Sequence, residues 1–143
     1  MFRVDGRLAF ITGAGRGIGR ACAIALAQAG AEVWLAARTR EDLDAAAAEI
    51  RAGGGKAHVA VVDVTDARRL RSAIAALPGL DVFVNNAGSN IPEPFVEVSE
   101  EHLDRLLELN VRGAFIAAQA AAKKMVASPE RKARSGVIIN MSS

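Results

Sequence analysis

The chain contains no tyrosine, a single cysteine and two histidines among its 143 residues. Cys22 has no second cysteine with which to form an internal disulfide bond. His58 and His102 are too few for the clustered ligands that a structural zinc ion requires. We therefore expect neither an internal disulfide nor a metal site.

An excess of charge of one sign is also missing, because 18 basic and 16 acidic residues leave a net charge of +2. This balance disfavours a dedicated nucleic-acid binder, which needs a strongly basic face. No apolar run approaches the roughly 18 to 20 residues of a membrane span. Residues 1–5 lack the basic and apolar pattern of a signal peptide. We expect a cytoplasmic protein without nucleic-acid or membrane partners.

The chain has the length of one domain, and 51% of its residues are hydrophobic, so we treat residues 1–143 as a single domain. Short apolar segments alternate with segments of helical periodicity along its whole length. This alternation predicts right-handed βαβ units, which build a doubly wound α/β domain of Rossmann type. The predicted strands are 7–12, 32–37, 57–62, 81–84 and 137–141, and the predicted helices are 17–29, a segment between Thr39 and Gly53, 65–77 and 99–126.

Two of these helices have candidate capping residues, and one of them also has an apolar stripe. Thr39 and Asp42 have the spacing of a capping box at the start of the second helix. Ser99 is suited to cap the long helix, which bears an apolar stripe. Asn110 interrupts that stripe, and a buried amide without partners costs about 1 to 3 kcal/mol, so we expect it to be hydrogen-bonded. The stripe consists of Leu103, Leu106, Leu107, Val111, Ala114 and Phe115.

The segment 12–19, Thr-Gly-Ala-Gly-Arg-Gly-Ile-Gly, lies where the first strand turns into a helix. It does not fit the G-x-G-x-x-G spacing, because Ile18 and Arg20 occupy the positions that would have to be glycine. It is not a phosphate-binding P-loop either, since no Gly-Lys-Ser/Thr follows. It does fit T-G-x-x-x-G-x-G, and a ligand-free glycine turn is the alternative interpretation.

Polar residues follow the third and fourth predicted strands as well. Asp63 and Val64 come after the third strand, and the segment Asn-Asn-Ala-Gly at 85–88 follows the fourth. Ligands bind at the carboxyl ends of the strands in open parallel sheets, so these placements favour a binding site. The alternative is that the Asn and Gly residues only form a turn and that Asp63 only caps a helix.

Together and in this order, these motifs resemble those of the short-chain dehydrogenase/reductase family over the whole chain. The resemblance implies the strand order 3-2-1-4-5, a nicotinamide cofactor, and interconversion of a small-molecule carbonyl and a secondary alcohol by hydride transfer. It also implies that Asp63 accepts a hydrogen bond from the adenine amino group. The cofactor-binding residues that it implies are Gly13, Arg16, Gly17, Ile18, Gly19, Arg38, Asp63, Val64, Asn86, Ala87 and Gly88.

The end of the second strand bears on the choice between NADP and NAD. An NAD site usually places an acidic residue there, whereas this chain has Ala37 followed by Arg38. Arg38, with Arg16 and Arg40, offers guanidinium groups to a 2'-phosphate. We therefore expect NADP, with NAD as the less favoured cofactor. The alternative is that these arginines are solvated, or paired with Glu41 and Asp42.

By the same resemblance, Asn110 is the asparagine of the catalytic tetrad and Ser143 is the catalytic serine. The family's tyrosine and lysine, in Y-x-x-x-K, have no counterpart in a chain without tyrosine. We therefore interpret the chain as an amino-terminal portion that lacks the family's later strands and helices, and we expect it to be inactive alone. A non-catalytic nucleotide-binding or partner-binding fragment is the alternative function. An epimerase of the extended family is disfavoured by the glycine spacing.

Two surfaces predict self-association as a homo-oligomer. In the implied strand order, strand 137–141 is an unprotected apolar edge. The long helix presents alanines that nothing in this chain obviously covers, namely Ala117, Ala118, Ala121 and Ala122. The substrate cannot be identified from the sequence, although loop residues Ser89, Asn90, Ile91, Pro92 and Glu93 are candidates to contact it.

Overall fold

The computed structural model describes residues 2–129 and 135–142. Its strands form one parallel sheet in the order β3-β2-β1-β4-β5, which confirms the expected topology. Each of the first four strands is followed by a segment that returns over a face of the sheet, as parallel pairing requires. The strands are β1 (Leu8–Thr12), β2 (Glu32–Ala37), β3 (Lys56–Val61), β4 (Val82–Asn85) and β5 (Val137–Asn140).

The helices cover both faces of this sheet. They are α1 (Gly17–Gln28), α2 (Arg40–Ala52), α3 (Ala67–Ala75), α4 (Glu100–Leu107) and α5 (Ala114–Val126), with a 3₁₀ turn at Phe95–Glu97 and a π-helical segment at Glu108–Gly113.

The predicted N-cap of α4 is confirmed, whereas the predicted capping box of α2 is not. The Ser99 hydroxyl accepts a hydrogen bond from the His102 backbone N–H at 3.1 Å, as expected. Thr39 is the N-cap residue of α2, but its side chain makes no capping hydrogen bond. The predicted capping box is therefore wrong, because Asp42, its partner at the third helical position, lines a cavity instead.

The core lies in two layers, one on each face of the sheet. Alternate residues of β1 point to opposite faces, so Ala9 and Ile11 pack with α1 and α2, while Leu8 and Phe10 pack with α3 and α5. Phe10 and Phe83 are both fully buried and stack at 6.1 Å between ring centroids. This packing holds the carboxyl ends of β1 and β4 side by side.

The expected long helix 99–126 is present as a helical segment without a break from Glu100 to Val126, but its middle part, Glu108–Gly113, is π-helical and lies between α4 and α5. Gly113 ends that segment against the sheet, where a Cβ atom would lie 3.3 Å from the Val64 carbonyl oxygen. The predicted apolar stripe does not face the core of this chain. Four of its members are exposed by 47% to 68%, namely Leu103, Leu107, Val111 and Phe115.

The alanines of α5 also differ from expectation. Ala117 and Ala121 are fully buried in the layer that contains Leu70 and Ile74 of α3, so the prediction that nothing covers them is wrong. Ala118 and Ala122 are half-buried. The uncovered apolar surface of this segment is therefore formed by the exposed stripe residues and not by the alanines.

Within the part of the chain that the structure describes, the last strand, β5, pairs with β4 alone and forms one edge of the sheet. Val137 and Ile139 are exposed, whereas Ile138 packs on the core. Among the described residues, no helix is long and apolar enough to cross a membrane. The same residues contain no group of three or more His, Cys, Asp or Glu side chains that could hold a metal ion.

Candidate functional site

A cavity of about 310 Å³ opens at the carboxyl edge of the sheet. The turns that follow β1, β2, β3 and β4 form its walls, because parallel strands bring all these ends to the same edge. Its lining residues are Gly13, Gly15, Arg16, Ile18, Ala37, Arg38, Thr39, Asp42, Val62, Asp63, Val64, Asn86, Ala87, Gly88, Ser89 and Leu109.

The glycine loop between β1 and α1 forms the floor of this cavity. Gly13 has φ = +65°, which L side chains rarely adopt, and a Cβ there would lie 2.8 Å from Asn86 Nδ2. At Gly19, a Cβ would overlap the Gly13 carbonyl oxygen and lie 2.5 Å from the same amide nitrogen. The loop can therefore close tightly over the end of β4 only when these two positions are glycine.

A part-buried hydrogen-bond network joins the ends of β1 and β4. The Thr12 hydroxyl accepts hydrogen bonds from the backbone N–H groups of Asn86 and Ala87, both at 3.0 Å. In the other direction, Asn86 Nδ2 donates to the carbonyl oxygens of Thr12 at 3.1 Å and Gly13 at 3.3 Å. Each loop thus fixes the other, which gives the cavity a defined shape before any ligand binds.

Helix α1 begins beside this cavity, directly after the glycine loop. Its N-cap residue, Arg16, makes no side-chain capping bond, and its first turn contains no acidic residue. By contrast, α2 and α4 each carry two acidic residues in the first turn. The backbone N–H groups at a helix N-terminus and its partial positive charge attract anions such as phosphate.

Asp63, after β3, is a half-buried carboxylate on the cavity wall. Its Oδ1 atom accepts hydrogen bonds from the Thr65 backbone N–H at 2.9 Å and from the Thr65 hydroxyl at 2.7 Å. Burial acts to raise the pKa of Asp63, but the two Thr65 bonds and the Arg38 guanidinium outweigh it, so the pKa is lowered. Asp63 therefore stays an ionised acceptor with one oxygen, Oδ2, not used by Thr65.

Two of the three arginines expected at the cavity are there. Arg16 and Arg38 line it. Arg40 does not, because its guanidinium Nε pairs with Asp44 Oδ2 at 3.0 Å one turn along the exposed face of α2. The hypothesis that Arg40 contributes to the phosphate site is therefore not supported by its position.

A second cleft, of about 810 Å³, continues from the first. The two share Ile18, Asn86, Ala87, Gly88 and Ser89. Asn110, Val111 and Phe115 form one side of the second cleft, and Asn140, Met141 and Ser142 form the other. A ligand lying across Asn86 and Gly88 would extend from the glycine loop to Asn110.

Asn110 lies in the π-helical segment and is hydrogen-bonded, as expected, although it is exposed and not buried. Its Oδ1 atom accepts from the Ser89 backbone N–H at 3.0 Å, and its Nδ2 donates to the Ser89 carbonyl oxygen at 2.8 Å. Asn110 thus binds both backbone polar groups of Ser89, a residue that lines both clefts. Ser143 lies outside the described residues.

The structure brings together all of the predicted binding residues except Gly17 and Gly19, which do not line the cavity. Gly19 lies behind the loop, and Gly17 begins α1 with φ = +56°. Sequence reasoning missed Asp42 as a lining residue and the bridging role of Thr12. The T-G-x-x-x-G-x-G pattern itself begins with Thr12, so the hydroxyl-bearing residue at this position was the signal that the sequence offered.

Comparison with known proteins agrees with this geometry. A model of the short chain dehydrogenase family matches residues 7–143, so the chain belongs to that family. It is 39% identical to the cyclopentanol dehydrogenase of Comamonas sp. (strain NCIMB 9872), with all of this chain and 57% of that protein covered. It is 40% identical over 88% of its length to the gluconate 5-dehydrogenase of Gluconobacter oxydans, of which it covers 51%.

Solved structures share the fold. A gluconate 5-dehydrogenase from Burkholderia cenocepacia, in complex with NADP and tartrate, has a TM-score of 0.87 and 38% identity, with 99% of this chain and 55% of that chain covered. A carveol dehydrogenase from Mycobacterium avium, in complex with NAD, has a TM-score of 0.89 and 29% identity, with 100% and 56% covered. The chain spans about half the length of these relatives.

Proposed function

We propose that the first cleft binds the adenosine half of a nicotinamide dinucleotide, with NADP preferred over NAD, in an enzyme that interconverts a carbonyl and a secondary alcohol. The observation that carries the cofactor preference is the pair Arg16 and Arg38 on the wall of this cleft, where β2 ends in Ala37. A guanidinium group donates charge-assisted hydrogen bonds to phosphate oxygens. Relatives of similar fold bind either NADP or NAD, so the preference depends on these residues.

The lining residues suit the parts of such a cofactor. The glycine loop and the N-terminus of α1 fit a pyrophosphate, because the backbone N–H groups and partial positive charge of a helix N-terminus bind phosphate. Glycine at positions 13 and 19 lets that loop pack against Asn86 at the end of β4. Asp63 Oδ2 fits an adenine amino group as acceptor. The nicotinamide ring, when bound, supplies the acceptance or donation of hydride. Asn110 holds the loop at Ser89 beside the second cleft. We propose that Asn110 and Ser143 have the catalytic roles that the family pattern gives them in the conversion of a small-molecule substrate.

We propose that this chain binds nucleotide but does not turn over alone. In the family pattern, a tyrosine exchanges a proton with the substrate oxygen, and this chain contains no tyrosine. General acid–base catalysis typically contributes about 10²- to 10⁴-fold in rate. Oxidation of NADPH by the chain, coupled to ketone reduction at a rate comparable to that of its relatives, would contradict this part of the proposal.

The exposed stripe on α4 and α5 supports a homo-oligomer as part of the proposal. Leu103, Leu107, Val111 and Phe115 recur every four residues and stay exposed, and contiguous apolar surface of this kind is typical of interaction sites. Size-exclusion chromatography with light scattering measures the association directly. A soluble monomer at all concentrations tested would contradict it.

The cofactor preference is tested by an Arg38→Asp variant, with Arg40→Asp as its matched control. Both variants replace an arginine near the start of α2 by an aspartate, but only Arg38 lines the cleft. Loss of one charged hydrogen-bonding group costs about 1.5 to 3 kcal/mol, so we expect NADP binding at least about tenfold weaker in Arg38→Asp and little change in NAD binding. Calorimetric titration with both cofactors measures this. Equal loss in the two variants, or no loss in either, would refute the role of Arg38.

A further inference from the structure

Asp42 is an acidic side chain on the wall of a cleft that otherwise suits an anion. It lies in the first turn of α2, is half-buried, and lines the cleft together with Arg16 and Arg38. Within residues 2–129 and 135–142, no arginine, lysine or histidine forms an ion pair with it, and no donor is within hydrogen-bonding distance. Its charge is therefore not compensated by a direct partner.

Its position is fixed by contact with the glycine loop. A Cβ atom at Gly15 would lie 2.9 Å from the Asp42 Cβ and 3.8 Å from the Ala37 Cβ. The start of α2 thus packs directly on the backbone of Gly15, and this packing places the Asp42 side chain next to the loop that carries Arg16. The other acidic residues nearby differ, because Glu41 is exposed without lining the cleft and Asp44 pairs with Arg40.

We propose that Asp42 is a specificity-determining residue that works against the 2'-phosphate of NADP. A carboxylate and a phosphate on the same wall of a partly desolvated cleft repel each other, and the repulsion acts only on the cofactor that carries the extra phosphate. Arg16 and Arg38 attract that phosphate, while Asp42 reduces the resulting gain in affinity for NADP. The difference in affinity between NADP and NAD is therefore smaller than the two arginines alone would make it. This inference rests on the proposed binding of the adenosine half in the first cleft.

The test compares Asp42→Asn with Glu41→Gln, which removes one negative charge from the same helical turn but outside the cleft. The probes are adenosine 2',5'-bisphosphate, which carries the 2'-phosphate, and 5'-AMP, which does not. Calorimetric titration of the 143-residue chain gives both dissociation constants, and circular dichroism checks that each variant is folded. We expect Asp42→Asn to bind the bisphosphate about five- to tenfold tighter, with the gain reduced at high salt, because a like charge has been removed.

For 5'-AMP we expect less than about a twofold change in either variant, and for Glu41→Gln less than about a twofold change with both probes, because exposed charges are screened. Unchanged or weaker binding of the bisphosphate by Asp42→Asn would overturn the inference, and weaker binding would mean that Asp42 orients the arginines. An equal gain in Glu41→Gln would also overturn it. Equal affinity of the unmodified chain for the two probes would count against the NADP preference alone, whereas failure to bind either would overturn both proposals.

Discussion

The two clefts at the carboxyl edge of the sheet differ in how much of their surroundings this chain supplies. The first cleft is backed by β1 and β4, whose residues are all buried, and by a network through Thr12 and Asn86. The second cleft is bordered by exposed apolar side chains such as Val111 and Phe115 and by the edge strand β5. The comparison teaches that the first cleft rests on a fully buried core, whereas the second cleft borders apolar surface that the described part of the chain leaves exposed.

The two clefts also differ in the hydrogen bonds that hold their loops in place. The glycine loop is fixed by part-buried hydrogen bonds from Asn86 Nδ2 to the carbonyl oxygens of Thr12 and Gly13. The loop after β4 is attached to the helices at two points. The hydrogen bonds between Asn110 and Ser89 are exposed. His102 Nδ1 lies 2.9 Å from a carboxylate oxygen of Glu93. Hydrogen bonds open to water contribute less to stability than buried ones. Substitutions around the first cleft should therefore affect folding more than substitutions around the second.

The largest effect is expected from Gly19→Ala. The added Cβ would overlap the Gly13 carbonyl oxygen, and neither the backbone nor the Asn86 amide that holds it can move freely. We expect a loss of at least about 3 kcal/mol in the free energy of unfolding, together with loss of NADP binding, because overpacking against backbone is poorly relieved. Urea unfolding and calorimetry measure the two effects.

The control for Gly19→Ala is Gly54→Ala, in the turn between α2 and β3. Gly54 has φ = +83° and no atom within 4 Å of the added Cβ, so only backbone strain of about 1 to 2 kcal/mol is expected there. Cofactor binding should be unchanged in Gly54→Ala. If the two variants lose the same stability and the same affinity, the tight contact at Gly19 is not what shapes the loop.

A smaller loss is expected from Thr12→Val, which keeps the side-chain shape but removes the hydroxyl. The half-buried backbone N–H groups of Asn86 and Ala87 would lose their acceptor, the hydroxyl of the fully buried Thr12. Each unsatisfied group costs about 1 to 3 kcal/mol, and we expect a total loss of about 2 to 4 kcal/mol. Thr12→Ser should lose less than half as much in the same urea experiment, and equal losses in both variants would contradict the hydrogen-bond account.

At the second cleft, Asn110→Leu should cost less than about 1 kcal/mol in stability, because both of its bonds to Ser89 are exposed. The amide hydrogen of Ser89 should exchange faster with solvent, since its acceptor is removed. In any longer form of the protein that shows turnover, we expect the same substitution to abolish activity. Near-normal turnover in that variant would leave Asn110 with a structural role alone.

The smallest effect concerns pH and Asp63. Because its pKa is lowered from 3.8 in the folded chain, the ionised form stabilises the fold above that pH, and this contribution is lost as the pH falls through the lower, folded pKa. Asp63→Asn should therefore be less stable than the unmodified chain at neutral pH, with a difference that shrinks as the solution is acidified below 3.8. A difference that grows on acidification would contradict the direction of the shift.

The strands, their order and most of the first cleft could be predicted from the sequence, because they depend on local patterns. Apolar segments of strand length fixed β1 to β5, and glycines at 13 and 19 indicated a tight loop. The exposure of Phe115 could not be predicted, since periodicity shows that a helix has an apolar face but not what that face contacts. Nor could the π-helical segment, whose last residue, Gly113, lies close to Val64, a residue distant in the sequence.

The position of Asp42 illustrates a second limit. Its spacing from Thr39 predicted a capping box, and only the packing of α2 on Gly15 shows that the carboxylate faces the cleft. Similarly, Arg40 was grouped with Arg16 and Arg38 by sequence proximity, but helix geometry pairs it with Asp44 four residues on. Contacts between elements, unlike patterns within them, require the fold.

The central claim is that a nicotinamide dinucleotide binds in the first cleft, and NMR titration of the ¹⁵N-labelled 143-residue chain with NADP tests it most directly. We predict saturable shifts of the backbone amide signals of residues 13–19, 38, 63–64 and 86–88, with smaller shifts for the same concentration of NAD. The opposite edge of the sheet has its own cavity, lined by Gly6, Arg7, Gly30 and Gly55, and serves as an internal control. Shifts confined to that edge, or no saturable shift at the glycine loop, would contradict the account.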